Sequence, residues 1–245
     1  MFLPCNRHFF AAAAVFLMAA SAWPQGPGAA QPALTAAQIV DQMQRHNQAR
    51  ASALKHYQSV RHYQVEYRGY AVKLAAEMDV EVNFDARAGK SFRIVKQSGS
   101  KVLGEKVLKR AVDSEKEASQ AQEATALTAA NYRFRLVGSE NLGGRPAYVL
   151  EVEPLTPSKF LYRGRVWVDA AEFALVKIDA EPAKNPSFWI ARTLIRQSFA
   201  KTGDFWLPQE NRSETKVRVG GNAVFAIDYG TYRIESSRME PKGGH

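Results

Sequence analysis

The feature that most constrains this chain is a period of two. Met78, Val80, Val82 and Phe84 alternate with Glu77, Asp79, Glu81, Asn83 and Asp85. Successive side chains of a strand point to opposite faces, so this stretch reads as a strand with one apolar and one acidic face. Tyr63, Val65 and Tyr67 before it, and Phe92 and Ile94 after it, repeat the alternation with turn residues at 85–90, which predicts three antiparallel strands in a meander. Strand patterns resume at Tyr132, Phe134 and Leu136, at Tyr148, Leu150 and Val152, and then over 160–169, 173–181, 193–201, 205–210, 213–219 and 223–234. Gly143-Gly144, Asp169 to Glu172, Gly203-Asp204 and Gly220-Gly221-Asn222 supply the turn chemistry of tight connections. Roughly ten strands joined mainly by short turns imply one large antiparallel sheet.

Two stretches leave this period. Thr35-Ala36-Ala37-Gln38 is a capping box, and Ile39, Val40, Met43, Ala53, Leu54 and Tyr57 approximate a helical stripe, predicting a helix over 35–57. Leu103, Val107, Leu108, Ala111 and Val112 return to helical spacing and predict a second excursion over 101–120, followed by an Ala-, Glu-, Gln- and Ser-rich stretch to Ala130. With 46% hydrophobic residues, the sheet cannot leave one face bare; it must curl around its own core or be plugged by the helices. No internal repeat breaks the chain, so 34–238 reads as one domain.

The first residues read as an address. Arg7 and His8 precede an apolar run from Phe9 to Ala19, and Ala20-Ser21-Ala22 then offers the small-x-small pattern of a cleavage site. The run is shorter than the ~20 residues a bilayer core requires. A secretory signal over 1–22, cleaved near Ala22, is expected, with a flexible lead-in over 23–33, a flexible tail over 239–245, and export to the periplasm. The lone Cys5 precedes the apolar run, whereas a lipid-modified cysteine would follow it. A single cysteine also excludes an intramolecular disulfide framework, a CxxC site and a cysteine-ligated zinc. The net charge of +9 favours anionic partners, and export directs this toward a membrane surface rather than nucleic acid.

Chemical signatures are weak. No GxSxG, HExxH or GxGxxG occurs, and Gly89-Lys90-Ser91 falls in a hairpin turn rather than a phosphate loop. His46, His56 and His62 read as surface residues, and Glu77, Asp79, Glu81 and Asp85, like Glu151 and Glu153, as solvated faces paired with cross-strand cations. The expectation is therefore a protein with no catalytic residues, no metal and no cofactor. The apolar inventory of an exported curved sheet suits enclosure of a greasy ligand, with a core filled by the protein's own side chains as the alternative.

Gly164-Arg165-Val166-Trp167-Val168-Asp169, Phe173 to Ile178, Glu181-Pro182-Ala183-Lys184-Asn185-Pro186-Ser187-Phe188-Trp189, Gly203 to Pro208 and Asn211-Arg212-Ser213 together resemble exported bacterial proteins of the outer-membrane lipoprotein-sorting type, similar to the LolA and LolB carriers. The resemblance implies an incomplete antiparallel β-barrel, a curved sheet covered on its concave side by two or three helices. It also implies capture of lipoprotein acyl chains or another lipid. On this reading Met78, Val80, Val82, Phe84, Phe92 and Ile94 are the expected lining, and basic residues near the mouth draw the protein to anionic headgroups. The alternative is a non-carrier envelope sensor or scaffold that binds a protein partner through Phe188 and Trp189, although aromatics in such loops are more often core plugs.

Overall fold

The computed structural model describes residues 34–185, 187–218 and 220–236. The expected signal over 1–22, lead-in over 23–33 and tail over 239–245 lie outside the described residues. Helix α1 (Ala36–Ala53) opens on the expected capping box: the Gln38 N–H donates to Thr35 Oγ1 at 3.3 Å and the Thr35 N–H to Gln38 Oε1 at 2.8 Å. It ends earlier than the stripe predicts. Leu54 is already extended, with φ −75° and ψ 111°, and begins strand β1 (Leu54–Arg68). Ala53, Leu54 and Tyr57 suit a helix stripe, but the inward row of β1 is Tyr57, Ser59, Arg61, Tyr63 and Val65. Its two polar members hide the alternation.

Ten further strands follow: β2 (Lys73–Asp85), β3 (Gly89–Gly99), β4 (Tyr132–Leu142), β5 (Arg145–Pro154), β6 (Tyr162–Asp169), β7 (Leu175–Pro182), β8 (Ile190–Thr202), β9 (Phe205–Val217), β10 (Asn222–Asp228) and β11 (Arg233–Ser236). All pair antiparallel in one sheet of order β3-β2-β1-β10-β9-β8-β7-β6-β5-β4, with β11 against the start of β1. The sheet curves but does not close, because β3 and β4 at its two ends are not joined. The segments expected at 205–210 and 213–219 are one strand, β9. Pro208 withholds an N–H from the ladder, yet it sits opposite Phe199 beside a bulge in β9 at Gln209, where a proline is tolerated. Conversely, 223–234 divides into β10 and β11, because Gly230 takes φ 59° and its N–H bonds the Asp228 carboxylate at 2.9 Å.

Helical cover divides the concave side into two cores. Between β3 and β4 the chain forms α2 (Lys101–Leu103), a π-helical turn (Gly104–Leu108), α3 (Lys109–Gln120) and α4 (Gln122–Thr125). Leu103, Leu108 and Val112 from this excursion pack on Tyr63, Val65, Met78, Val80, Val82 and Ile227. On the other half of the sheet, Ile39, Val40 and Met43 of α1 pack on Leu150, Val152, Val166, Val168 and Ile178. Burying side chains of this size contributes about 1.5–3 kcal/mol each, so these stripes are what hold both helical segments to the sheet. The far end of α1 is tied by Arg50, whose guanidinium donates to the Glu172 carbonyl in the β6–β7 connection.

The convex face carries the expected ion pairs. Arg93 bonds Glu81, Arg135 bonds Glu151, and Arg163 lies 3.5 Å from Glu153. Asp85 instead accepts the Arg87 and Ala88 N–H groups in the β2–β3 turn. Close strand approach depends on Gly164 in the middle of β6. It holds φ 148°, and a Cβ there would meet the Asp179 carbonyl oxygen at 2.5 Å and the Ala180 Cα at 2.6 Å. Gly164→Ala is expected to lower stability by about 2–3 kcal/mol, read as a shifted denaturant midpoint at constant slope.

Candidate functional site

The two cores leave a gap between them. A cavity of about 550 Å³ opens there on the concave side. Leu54, Tyr57, Phe84, Leu207, Phe225 and Ile227 contribute its apolar walls, and Gln197 and Asn211 add amides from β8 and β9. A second cavity, about 270 Å³, continues under α1 between Ala51, Leu175, Phe199 and Phe205, and shares Leu54 and Leu207 with the first. The wall is therefore amphiphilic rather than purely hydrocarbon. Larger still, at about 950 Å³, is a groove on the convex face lined by Arg133, Arg135, Glu151, Glu153, Arg163 and Arg165 among others. Its charged lining makes it the poorer host for a hydrocarbon, since burying charged groups against apolar matter costs far more than the contact returns.

At the first cavity stands Arg61, 1% exposed and projecting inward from β1. Its Nη1 donates to Glu115 Oε2 on α3 at 2.6 Å, and Lys90 Nζ reaches Glu115 Oε1 at 3.0 Å. The Arg61 guanidinium also lies over the Tyr229 ring, 4.7 Å from its centroid, and over Phe92 at 5.9 Å. Burial works against the charge on Arg61, but Glu115 and the neighbouring phenols outweigh it and hold the guanidinium above its ordinary value. Burial likewise works against the Glu115 carboxylate, but Arg61 and Lys90 hold it below the usual carboxylate range. Hydrogen bonding is incomplete: among the described residues Arg61 Nε, Ser59 Oγ and Tyr63 Oη are buried without a partner.

Of the six residues expected to line a ligand site, Phe84 stands in the cavity wall, stacked on Tyr57 at 5.2 Å. Met78, Val80 and Val82 are buried in the first core beneath the helical excursion. Phe92 packs against that core under Arg61, and Ile94 on the edge strand is 42% exposed. Sequence reasoning passed over Arg61, Glu115 and Lys90. Parity held the signal for Arg61, since counting back from Val65 and Tyr63 in steps of two places a charge on the inward row. Nothing distinguishes Glu115 from its acidic neighbours until α3 is docked. Phe188 and Trp189, for which the sequence leaves a core plug and a partner-binding pair as alternatives, are exposed, because they sit in the β7–β8 connection beyond the sheet's end.

No family model matches the sequence, and no curated protein aligns with it. Among solved structures, the chain is similar to a DUF1329 family protein from Desulfovibrio piger, at 14% identity over 82% of this chain and 94% of that one, with a TM-score of 0.40. It is similar to a LolA superfamily protein from Nitrosomonas europaea, at 13% identity over 85% and 96%, with a TM-score of 0.37. An outer membrane lipoprotein-sorting protein domain from Vibrio parahaemolyticus is similar at 12% identity over 82% and 94%, with a TM-score of 0.39. At such identities these similarities concern fold alone.

The Arg61–Glu115 pair yields a signed prediction. Glu115→Ala leaves a buried guanidinium without its acidic partner and is expected to cost about 3 kcal/mol, whereas the double variant Arg61→Met/Glu115→Leu, which removes both charges of the pair, is expected to stay within about 1 kcal/mol of the parent. Because the folded Glu115 titrates below its unfolded value, its contribution is complete above about pH 4.3 and is lost as pH falls through the lower folded value. Urea unfolding across that range should show the gap between parent and Glu115→Ala narrowing with acidification.

Proposed function

We propose that this chain is a periplasmic carrier that shelters the acyl portion of a lipid or lipoprotein in the concave cavity. The observation that carries the reading is an unfilled, mainly apolar-walled space between two separate cores, roofed by segments that pack through narrow stripes. The apolar run before Ala22 supports a periplasmic setting. Amides at Gln197 and Asn211, with the unpartnered Arg61 Nε nearby, suit the polar linkage of an amphiphile whose hydrocarbon lies against Leu54, Phe84 and Phe225.

Energetics favour reversible capture. Each buried methylene contributes about 0.8 kcal/mol, so eight of them supply roughly 6 kcal/mol, corresponding to dissociation constants of about tens of micromolar before ordering costs. That range allows loading and release without any covalent step. Glu115 links α3 to the sheet through Arg61 and Lys90 and so fixes the position of the cover beside the cavity.

Leu207→Trp should fill the space shared by the two cavities and weaken a fluorescent acyl probe by about tenfold, equivalent to ~1.4 kcal/mol, with little change in melting temperature. Native mass spectrometry of protein drawn from its own envelope is expected to show a bound lipid. Protein that arrives empty and takes up no acyl probe would defeat the carrier reading.

A further inference from the structure

The hairpins sort the sheet's connections into two ends. The β2–β3, β4–β5, β6–β7 and β8–β9 turns lie at one end; the β1–β2, β5–β6, β7–β8 and β9–β10 connections, with the exit of β3 into α2, lie at the other. Val60, Ile94, Val95 and Val137 are exposed along strands, but the other exposed large hydrophobic residues are sorted in the same way. Tyr70, Val72, Val102, Leu155, Phe188 and Trp189 occupy the second end, and among the described residues no turn of the first end carries one. Two aromatic members are the most exposed of the set, Tyr70 at 95% and Phe188 at 75%, and Trp189 is 57% exposed.

Three of these connections are braced into one surface. The Arg218 N–H donates to the Trp189 carbonyl at 2.8 Å, and its guanidinium lies 5.2 Å from the Phe188 centroid. Phe188 and Trp189 meet edge to face at 5.6 Å. Tyr67 Oη donates to the Gly220 carbonyl at 2.9 Å, while the Tyr70 ring lies so close that a Cβ on Gly220 would be 2.3 Å from it. Around these rings, Lys73, Lys184, Lys216 and Arg218 are exposed and have no ion-pair partner among the described residues, whereas Arg68 is paired with Glu66.

We propose that this end of the sheet docks on the headgroup layer of an anionic phospholipid bilayer, with Tyr70, Phe188 and Trp189 entering the interface and the four free cations above the headgroups. Aromatic rings with a polar edge settle at headgroup depth, and basic side chains are attracted by the negative surface potential. The lysines argue for a bilayer over a protein partner: protein interfaces are depleted in lysine, while an anionic membrane rewards it. The inference goes beyond the cargo reading, since the surface shares no residue with the cavity.

The test is flotation of the full chain with phosphatidylcholine vesicles and with mixed phosphatidylcholine–phosphatidylglycerol vesicles, alongside thermal unfolding. The parent is expected to float with the mixed vesicles and to be released by added salt. The Phe188→Ala/Trp189→Ala variant should partition about tenfold more weakly, and Tyr70→Ala several-fold more weakly, at unchanged melting temperature. If the double variant melts early, Lys184→Gln/Lys216→Gln serves in its place, with a several-fold loss on mixed vesicles expected and an undiminished affinity overturning the proposal. Parent protein that ignores mixed vesicles, or binding indifferent both to salt and to the aromatic substitutions, also overturns it. So does an envelope protein captured by the parent and lost with the double variant while vesicles remain unbound, which assigns the surface to a protein partner.

Discussion

A long antiparallel sheet with one apolar face must have that face covered, and this chain supplies two helical segments to cover a sheet of eleven strands. Everything characteristic of the structure follows from that shortage. Each segment seals the strands nearest to it, α1 over the β5–β7 side and the α2–α3 excursion over the β1–β2 side. The middle of the concave face, around the centres of β8 and β9, receives neither. There the inward row changes character, with Gln197, Asn211 and Ser213 replacing the branched aliphatics found on either side. A partly polar row tolerates solvent where an aliphatic one would not, so the gap persists without collapse.

The charged group beside this gap belongs to the same logic. Arg61 occupies an inward position that a valine would fill in a sealed core, and its charge is sustained chiefly because α3 delivers Glu115 to it. A pair of this kind adds little net stability compared with apolar packing, yet removing one partner is expensive. It therefore acts as a register pin for the cover more than as cement. The aromatic rings of Tyr229 and Phe92 complete the socket, taking the guanidinium faces that water would otherwise hold.

Much of the architecture was readable from residue order. Alternation through Met78, Val80, Val82 and Phe84 and the glycine-bearing turns specify antiparallel hairpins, and the Thr35–Gln38 capping box specifies where α1 starts. The misreadings share one cause, which is that local patterns are indifferent to distant partners. Leu54 and Tyr57 satisfied a helical stripe until β2 and β11 paired with that segment. Asn211 and Arg212 separated two expected strands until β8 and β10 paired with them on either side. For the site, Phe84 was accessible to sequence reasoning, but its companions in the wall are Leu54 of β1 and, from the other end of the chain, Leu207 of β9 and Phe225 of β10.

Sequence alone determined the kind of object this is: a hairpin-built sheet, basic overall, with two helical interruptions and an apolar inward row on its clearest strands. Those properties are local, since side-chain period, turn dihedrals and capping act over a few residues. Only the tertiary structure decided where hydrocarbon finds room, which charge is buried, and which loops assemble into a common surface. Those outcomes depend on how the covering helices divide the concave face and on which hairpin ends the pairing order brings together, and neither is encoded within any single segment.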